Sequence, residues 1–234
     1  MIERSGPALQ SLLVAALALA CGGEGGRDRA AEALSPQPMS EPGAPDGSGV
    51  IDENGDLVLD ELSDSDAHFS SGNISGEWFT YSDGTNAIEP PDHTGLATLD
   101  GEAHVSGSGF SDWGAGLSAY FSSVDLTAFD GVRLRARGTG SIIVELATPA
   151  TSPPGEGGTC MGNGCFGHFA TSLQLSEAYQ DFAIPFATLA QPSWAQRAEL
   201  ALDGVISLNL VAKVAGGAAS LDLWVDRLAL HAGP

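Results

Sequence analysis

From about residue 64 onward, short runs of alternating apolar and polar residues are separated by Gly, Asp, Pro and Ser. In the clearest run, 131–138, Val132, Leu134 and Ala136 alternate with three arginines, as in a strand with one buried face. The run 141–147 is apolar on both faces at its start, as in the centre of a sheet. Further runs lie at 78–81, 103–106, 116–122, 168–175, 179–184, 205–214 and 221–226. The pattern predicts about nine strands.

Strands of this number and spacing are typical of a β-sandwich of the jelly-roll type. The 31 Gly and 13 Pro residues disfavour long helices, and a hydrophobic fraction of 43% is sufficient for a core. A chain of 234 residues has room for one such domain with appendages. We therefore predict an all-β fold, with a single jelly-roll sandwich in residues 64–234 that acts as a monomer.

The charge of the chain limits its partners. Lys and Arg total 9 against 30 Asp and Glu, which gives a formal net charge of -21. A surface this acidic cannot neutralise a run of phosphates, so we expect no nucleic-acid partner. Arg133, Arg135 and Arg137 share one strand face and could bind an anion, but we favour a solvated face that is balanced by surrounding acids.

The first 20 residues have the outline of a secretory signal peptide. Arg4 precedes an apolar stretch, 12–20, that is shorter than the roughly 20 residues of a membrane-spanning helix. Small residues then lead to Cys21, and this end resembles the bacterial lipobox, in which the cysteine is acylated and becomes the first residue after cleavage. The Leu that the lipobox usually has three positions earlier is Ala18 here.

This resemblance implies an exported lipoprotein of the outer membrane or cell surface that touches the membrane only through a lipid on Cys21. An ordinary signal peptide, with a soluble secreted or periplasmic product, is the alternative. Residues 21–63 are rich in Gly, Pro, Ser, Ala and acids, a composition that cannot bury enough apolar surface to offset its ordering entropy. We predict a disordered acidic tether there. Its segment 52–56 is not an EF-hand loop, because Gly55 occupies the fourth position instead of the sixth.

Two further cysteines, Cys160 and Cys165, lie in one Gly-rich segment. An exported protein reaches a compartment that permits disulfides, so we predict a local bridge between them. Closing so short a ring contributes about 2 kcal/mol, enough to shape a loop but not to hold the fold. The alternative is a zinc site that includes His168, for which no fourth ligand is evident in the sequence.

Several segments together resemble the galactose-binding-like jelly rolls, in particular family-eleven carbohydrate-binding modules and their relatives in bacterial surface proteins. The segments are 76–85 (GEWFTYSDGT), 107–116 (GSGFSDWGAG), 129–138 (FDGVRLRARG), 179–186 (YQDFAIPF) and 223–228 (LWVDRL). Their order and spacing extend through nearly all of residues 66–231. The resemblance implies a non-catalytic domain that binds a polysaccharide or oligosaccharide.

The same resemblance implies a structural calcium ion at the edge of the sandwich. Asp226 resembles the aspartate of the terminal strand that contributes to this site, and Asp64 or Asp66 precede the first strand predicted here. Calcium takes six to eight oxygen ligands, which a sequence alone does not assemble.

Aromatic rings are the candidate sugar-binding residues, because they stack on the apolar faces of pyranose rings while polar groups bind the hydroxyls. Trp78 and Tyr81 are three residues apart, so they lie on opposite faces of a strand and one of them can be core. Trp113 lies in a Gly-rich loop, and Trp194 follows Pro192. Either ring could stack on a sugar or cover the end of the sandwich.

Two other functions remain open at the level of the sequence. Glycoside hydrolases also occur on jelly rolls and need two carboxylates that face each other across a cleft; the strand-associated candidates are Glu77, Glu102 and Glu145. A structural or assembly module could use the same fold to hold a protein partner. We favour a surface-anchored, non-catalytic carbohydrate-binding lipoprotein.

Overall fold

The computed structural model describes residues 49–64, 66–94, 96, 98–99, 102–214 and 217–233. The strands are β1 (Val50–Ile51), β2 (Leu57–Asp60), β3 (His68–Ser71), β4 (Ile74–Ser82), β5 (Ile88–Glu89), β6 (Thr98–Leu99), β7 (Glu102–Phe110), β8 (Gly114–Val124), β9 (Gly131–Gly138), β10 (Ser141–Ala147), β11 (Phe169–Gln174), β12 (Gln180–Pro185), β13 (Val205–Lys213) and β14 (Ala219–His231). Three short 3₁₀ turns lie at Pro149–Thr151, Pro154–Glu156 and Phe186–Thr188.

The strands form two antiparallel sheets, and the predicted all-β sandwich is confirmed. The six-stranded sheet has the order β11-β10-β13-β8-β4-β3. In the eight-stranded sheet β14 is central, pairing with β2, β7 and β9, while β12 pairs with β9 and the short β5 and β6 pair with β7. Among the residues that the structure describes, no helical segment has the length and apolar content that a bilayer crossing requires.

The core lies between the sheets and follows the alternation in the sequence. Leu134 of β9 pairs with Leu228 of β14, and Leu210 of β13 pairs with Leu117 of β8; all four side chains are buried. Because alternate residues point inward, the other face of each sheet carries the polar and aromatic side chains.

The predicted start of the sandwich at residue 64 is wrong, because β1 and β2 belong to the eight-stranded sheet. Leu57, Val58 and Leu59 are buried, and β2 pairs with β14. Asp56, one of the acids assigned to a solvated tether, is fully buried and lies 2.6 Å from the side chains of both Arg133 and His231. The signal peptide, Cys21 and the tether up to residue 48 lie outside the described residues.

The arginine row on β9 is balanced by acids, as predicted. Arg135 contacts Asp226 at 2.6 Å, and Arg137 contacts Glu102 at 3.1 Å. Arg137 also lies 4.2 Å above the ring of Trp224. The outer surface of the eight-stranded sheet is therefore a set of ion pairs and stacked side chains.

Candidate functional site

A cleft of about 1000 Å³ lies over the outward face of the six-stranded sheet. The pairing of neighbouring strands places Phe79, Ser118, Asn209 and Glu145 in one row across β4, β8, β13 and β10. All four side chains line the cleft. The floor of the cleft is thus built from alternate residues of four strands, which is why no single sequence motif encodes it.

One corner of the cleft is aromatic, and we call Phe79, Tyr81, Trp113 and Tyr120 the first aromatic group. The Trp113 ring stacks on Tyr81 with 5.6 Å between centroids and 27° between planes. The centroid of the Phe79 ring lies 6.1 Å from that of Tyr81 and 6.2 Å from that of Tyr120. The Trp113 side chain is 41% exposed, so one side of this stacked pair is open to a ligand.

The absence of a side chain at Gly116 leaves space for the Tyr81 ring in this corner of the cleft. Gly116 of β8 pairs with Tyr81 of β4, and a Cβ atom at Gly116 would lie 2.9 Å from ring atoms of Tyr81. The glycine lets the Tyr81 ring lie across the neighbouring strand. Burial raises the pKa of Tyr81 well above its usual 10, and the charge of Glu145 acts in the same direction, so the hydroxyl stays a hydrogen-bond donor.

The loop that carries Trp113 is held by the carboxylate of Asp83. Backbone N–H groups of Asp112 and Gly114, on either side of Trp113, donate to Asp83 Oδ2 at 2.9 and 3.0 Å. Thr85 donates its N–H and its hydroxyl to Oδ1. Desolvation raises the pKa of Asp83, but these hydrogen bonds outweigh it and lower the pKa to about 2. The carboxylate therefore stays charged and holds the loop.

The opposite corner of the cleft carries a second aromatic group, Phe166 and Trp194, which are 53% and 57% exposed. Phe166 directly follows the disulfide between Cys160 and Cys165, whose Cα atoms are 5.7 Å apart. The predicted bridge is confirmed, and the zinc alternative is wrong because both sulfurs are bonded to each other. His168 instead lies 2.8 Å from the Thr151 hydroxyl through Nδ1. Burial lowers the pKa of His168 to about 4, so the ring is neutral.

Polar groups on the floor lie between the two aromatic groups. The Ser118 hydroxyl donates to Asn209 Oδ1 at 2.8 Å. Lys213 forms an ion pair with Glu145, whose side chain is only 7% exposed. Desolvation raises the pKa of Glu145, and the charge of Lys213 opposes this shift. The floor thus offers a hydroxyl, an amide, an ammonium and a carboxylate in a partly dry setting.

The Glu145–Lys213 pair leads to a pH-dependent stability prediction. Lys213→Met should destabilise the domain by about 2 kcal/mol near neutral pH, because a buried carboxylate loses its charged partner. Glu145 already has a folded pKa above its usual 4.5, and losing Lys213 raises it further. A carboxyl group with a raised pKa in the folded state lowers the free energy of unfolding as pH increases. The loss of stability of Lys213→Met relative to the wild type should therefore grow from pH 5 to pH 8.

Urea unfolding at these two pH values measures the effect, and Lys213→Arg is the matched control that keeps the charge. Because the His168 pKa is about 4, that ring is neutral over the whole range. An equal deficit for Lys213→Met at both pH values would show that Glu145 is not the cause.

The structure separates the four predicted sugar-binding residues. Tyr81, Trp113 and Trp194 all line the cleft. Trp78 does not, because it points to the opposite face of β4, is 1% exposed and donates its indole N–H to Asp60 at 2.8 Å. Trp78 is a core residue, and its assignment to the binding site is wrong.

The two residues predicted for calcium have other partners. Asp226 binds Arg135, and Asp66 accepts the backbone N–H of His68 at 2.8 Å. Over the part of the chain that the structure describes, no group of three or more His, Cys, Asp or Glu side chains is placed to hold a metal ion. Asp226, already neutralised by a guanidinium, does not fit a calcium site, and calcium binding stays a prediction without a ligand set.

The carboxylates of the hydrolase alternative lie on three different strands. Glu102 lies on the eight-stranded sheet and binds Arg137, so it does not reach the cleft. Glu77 and Glu145 both line the cleft, on β4 and β10. The backbones of these two strands are three spacings apart, about 14 Å at roughly 4.8 Å each, so the two side chains would have to reach toward each other to bring their carboxyl groups to the about 5–9.5 Å of a catalytic pair. The geometry does not favour hydrolysis by this pair.

Solved structures that superpose on this chain include carbohydrate-binding modules. A family 11 module of the cellulosomal cellulase Lic26A-Cel5E of Clostridium thermocellum superposes with a TM-score of 0.53 at 18% identity, covering 76% of this chain and 95% of that one. The chain has the jelly-roll fold of the family 11 carbohydrate-binding modules. A family 11 module from the same organism, solved in complex with a β-1,3-1,4-mixed-linked tetrasaccharide, gives a TM-score of 0.52 at 18% identity, covering 75% of this chain and 95% of that one.

No protein-family model and no curated protein sequence matches the chain. The likeness to family 11 modules is therefore one of fold.

Sequence reasoning missed several cleft residues. Phe166, Tyr120, His168 and Lys213 line the cleft, but the sequence pattern predicted no sugar-binding role for any of them. A usable signal existed for Phe166, a large apolar residue in a Gly-rich segment beside a predicted disulfide. For Lys213 and Glu145, which are 68 residues apart in sequence, only the strand order brings the two together.

Proposed function

We propose that this chain is a non-catalytic carbohydrate-binding lipoprotein, which holds a polysaccharide or oligosaccharide in the cleft of the six-stranded sheet. One observation carries the proposal. Within the described ranges, the Phe, Tyr and Trp side chains with the largest exposed fractions are Trp113, Phe166 and Trp194, at 41%, 53% and 57%, and all three line this cleft. Exposed aromatic rings around a polar floor are what a sugar chain requires, since its rings have apolar faces and hydroxyl edges.

The charge of the cleft supports an uncharged ligand. Its lining includes the carboxyl groups of Glu77, Asp112, Glu145 and Glu156, against the single ammonium group of Lys213. Carboxylates accept hydrogen bonds from sugar hydroxyls but repel the carboxylates of acidic polysaccharides. The family 11 module solved with a mixed-linked tetrasaccharide supports neutral glucans as the first ligands to try.

A panel of soluble polysaccharides, run by affinity electrophoresis, tests the binding proposal. We expect the mobility of the wild type to fall in at least one neutral polysaccharide gel and to be unchanged in a polyuronate gel. Trp113→Ala should migrate as it does without polysaccharide, while Met161→Ala, which removes a side chain that is 72% exposed, is the control and should behave as the wild type. Retardation only in polyuronate gels would contradict the proposal.

Release of reducing sugar from the bound polysaccharide tests the non-catalytic part. We expect no release by the wild type, in line with the separation of the two strands that carry Glu77 and Glu145. Release that is abolished by Glu145→Gln would make the chain a hydrolase.

The anchoring part of the proposal rests on the sequence alone. A short apolar segment ends in small residues at Cys21, and an acidic segment then leads to the sandwich. Cells that express the chain in a bacterial host and are fed a palmitate analogue should label the wild type. The matched Cys21→Ser variant should be unlabelled and released from the membrane fraction. A wild type that is exported but unlabelled would establish the soluble alternative.

A further inference from the structure

The two aromatic groups of the cleft lie at opposite corners of the six-stranded sheet. Tyr81 is on β4 and Phe166 precedes β11, four strand spacings away, which is about 19 Å. Along the strands, Tyr81 is level with Ile143 of β10, whereas Phe169, at the start of β11, pairs with Leu146. The start of β11, which Phe166 precedes, is therefore also offset from Tyr81 by three residues along the strands, about 10 Å. A ligand that touches both must cross the sheet diagonally.

Phe166 and Trp194 stand on two loops that are fastened to each other. The N–H of Gln196 donates to the carbonyl oxygen of Gly164 at 2.9 Å. The amide of Gln191 donates to the carbonyl oxygens of Gly167 and Gln196 at 2.8 and 3.0 Å. Gly167 packs so closely on the second loop that a Cβ atom there would lie 2.1 Å from Cβ of Ala195. The two loops, and with them the two rings, therefore form one connected side of the cleft.

The disulfide fixes the position of this side of the cleft. The N–H of Cys160 donates to the carbonyl oxygen of Ser152 at 2.9 Å, and Cys165 is bonded to Cys160. Phe166, the next residue, has a φ of 65° and donates its N–H to the carbonyl oxygen of Thr151 at 2.8 Å. A phenylalanine holds this left-handed conformation only where its surroundings over-determine it. The covalent ring directly before it supplies that constraint.

We infer that Phe166 and Trp194 form a second sugar subsite whose position depends on the Cys160–Cys165 disulfide, so that the cleft binds long glucan chains more tightly with the bridge intact. The inference rests on the proposed function of the cleft. The exposed rings supply the stacking surface, and the bridge keeps them at a distance from Trp113 that a rigid oligosaccharide can span. Pre-organisation of this kind improves affinity by removing the ordering cost of the loop.

Removal of the rings and of the bridge, separately and together, tests the inference. The probe is soluble β-1,3-1,4-mixed-linked glucan, and its affinity for the complete sandwich domain is measured by isothermal titration calorimetry. We expect Phe166→Ala and Trp194→Ala each to weaken binding by about tenfold, as for a buried aromatic contact at an interface. Met161→Ala, within the disulfide ring itself, is the matched control and should bind as the wild type.

The bridge is tested in two ways. The double variant Cys160→Ser with Cys165→Ser should weaken binding about tenfold. Dithiothreitol should reproduce this in the wild type: its two thiols become a cyclic disulfide, while the Cys160–Cys165 bond breaks and each sulfur gains one hydrogen. In a Phe166→Ala, Trp194→Ala background the serine changes should have no further effect, because the bridge acts through the two rings.

Each outcome decides between the two proposals. If the wild type binds, Trp113→Ala abolishes binding, and Phe166→Ala and Trp194→Ala stay within twofold of the wild type, the second subsite is wrong and the proposed function stands. If the serine changes still weaken binding when both rings are absent, the bridge acts elsewhere and the coupling is wrong. If the wild type binds neither this glucan nor any neutral polysaccharide of the electrophoresis panel, the second subsite and the proposed function are both wrong.

Discussion

Trp78→Ala should lower the free energy of unfolding by about 3–5 kcal/mol, the range for a large aromatic residue removed from a core. Trp78 is 1% exposed and packs against Phe69, with ring centroids 5.8 Å apart. Its indole N–H also donates to the carboxylate of Asp60, which is partly withdrawn from water. The variant therefore leaves both a cavity and a carboxylate without its donor.

Trp78→Phe is the comparison variant, because it keeps a six-membered aromatic ring while it removes the N–H donor and part of the indole volume. Desolvation already raises the pKa of Asp60, with hydrogen bonds from Leu62 and Trp78 opposing the shift. Loss of the indole raises this pKa further, so the destabilisation by Trp78→Phe should shrink as pH falls and Asp60 takes up a proton. Urea unfolding of the two variants measures both effects. A loss below about 1 kcal/mol for Trp78→Ala would contradict the core placement.

Trp113→Ala should weaken binding of the selected polysaccharide at least thirtyfold, equivalent to about 2 kcal/mol, the level of an aromatic hot spot. The Trp113 ring stacks on Tyr81 and is 41% exposed, so its removal takes away a binding surface but little of the core. The melting temperature should stay within about 2 °C of the wild-type value. Titration calorimetry and thermal unfolding of the same samples give the two quantities.

A substitution at Asp83 tests the hydrogen bonds that hold the Trp113 loop separately from the Trp113 ring itself. Asp83→Ala keeps Trp113 but removes the carboxylate that holds the backbone N–H groups on both sides of it. It should weaken binding less than Trp113→Ala, with a larger loss of stability. Normal affinity in Trp113→Ala would remove this ring from the site and leave only the opposite corner of the cleft as a platform.

Local alternation was sufficient to predict the central strands. The predicted runs 131–138 and 141–147 have the bounds of β9 and β10, because each has an apolar stripe at a spacing of two and has Gly or Pro within two residues of each end. The β1–β2 hairpin was missed because the composition of residues 21–63, taken as a whole, hides the short apolar run 57–59. Asp56 and Asp52 pair with Arg133 and Arg227, which are far away in the sequence.

The candidate site was predicted in part. The spacing of Trp78 and Tyr81 places them on opposite faces, but which face meets the other sheet depends on packing that no local pattern encodes. The loop positions of Trp113 and Trp194 were sound clues, since an exposed ring needs a backbone that leaves it uncovered. The polar floor could not be predicted, because Ser118, Asn209 and Glu145 meet only through the strand order.

The central claim is that a sugar chain binds on the six-stranded sheet, and amide chemical-shift mapping tests it most directly. The isotope-labelled domain is titrated with the β-1,3-1,4-mixed-linked tetrasaccharide or with an oligosaccharide of the polysaccharide that the electrophoresis panel selects. We expect the shifts to concentrate in β4, β8, β13 and β10 and in the loop of Trp113, while β7, β9 and β14 are unchanged. Shifts that concentrate on the arginine row of β9 and around Trp224, with the cleft strands unaffected, would contradict it.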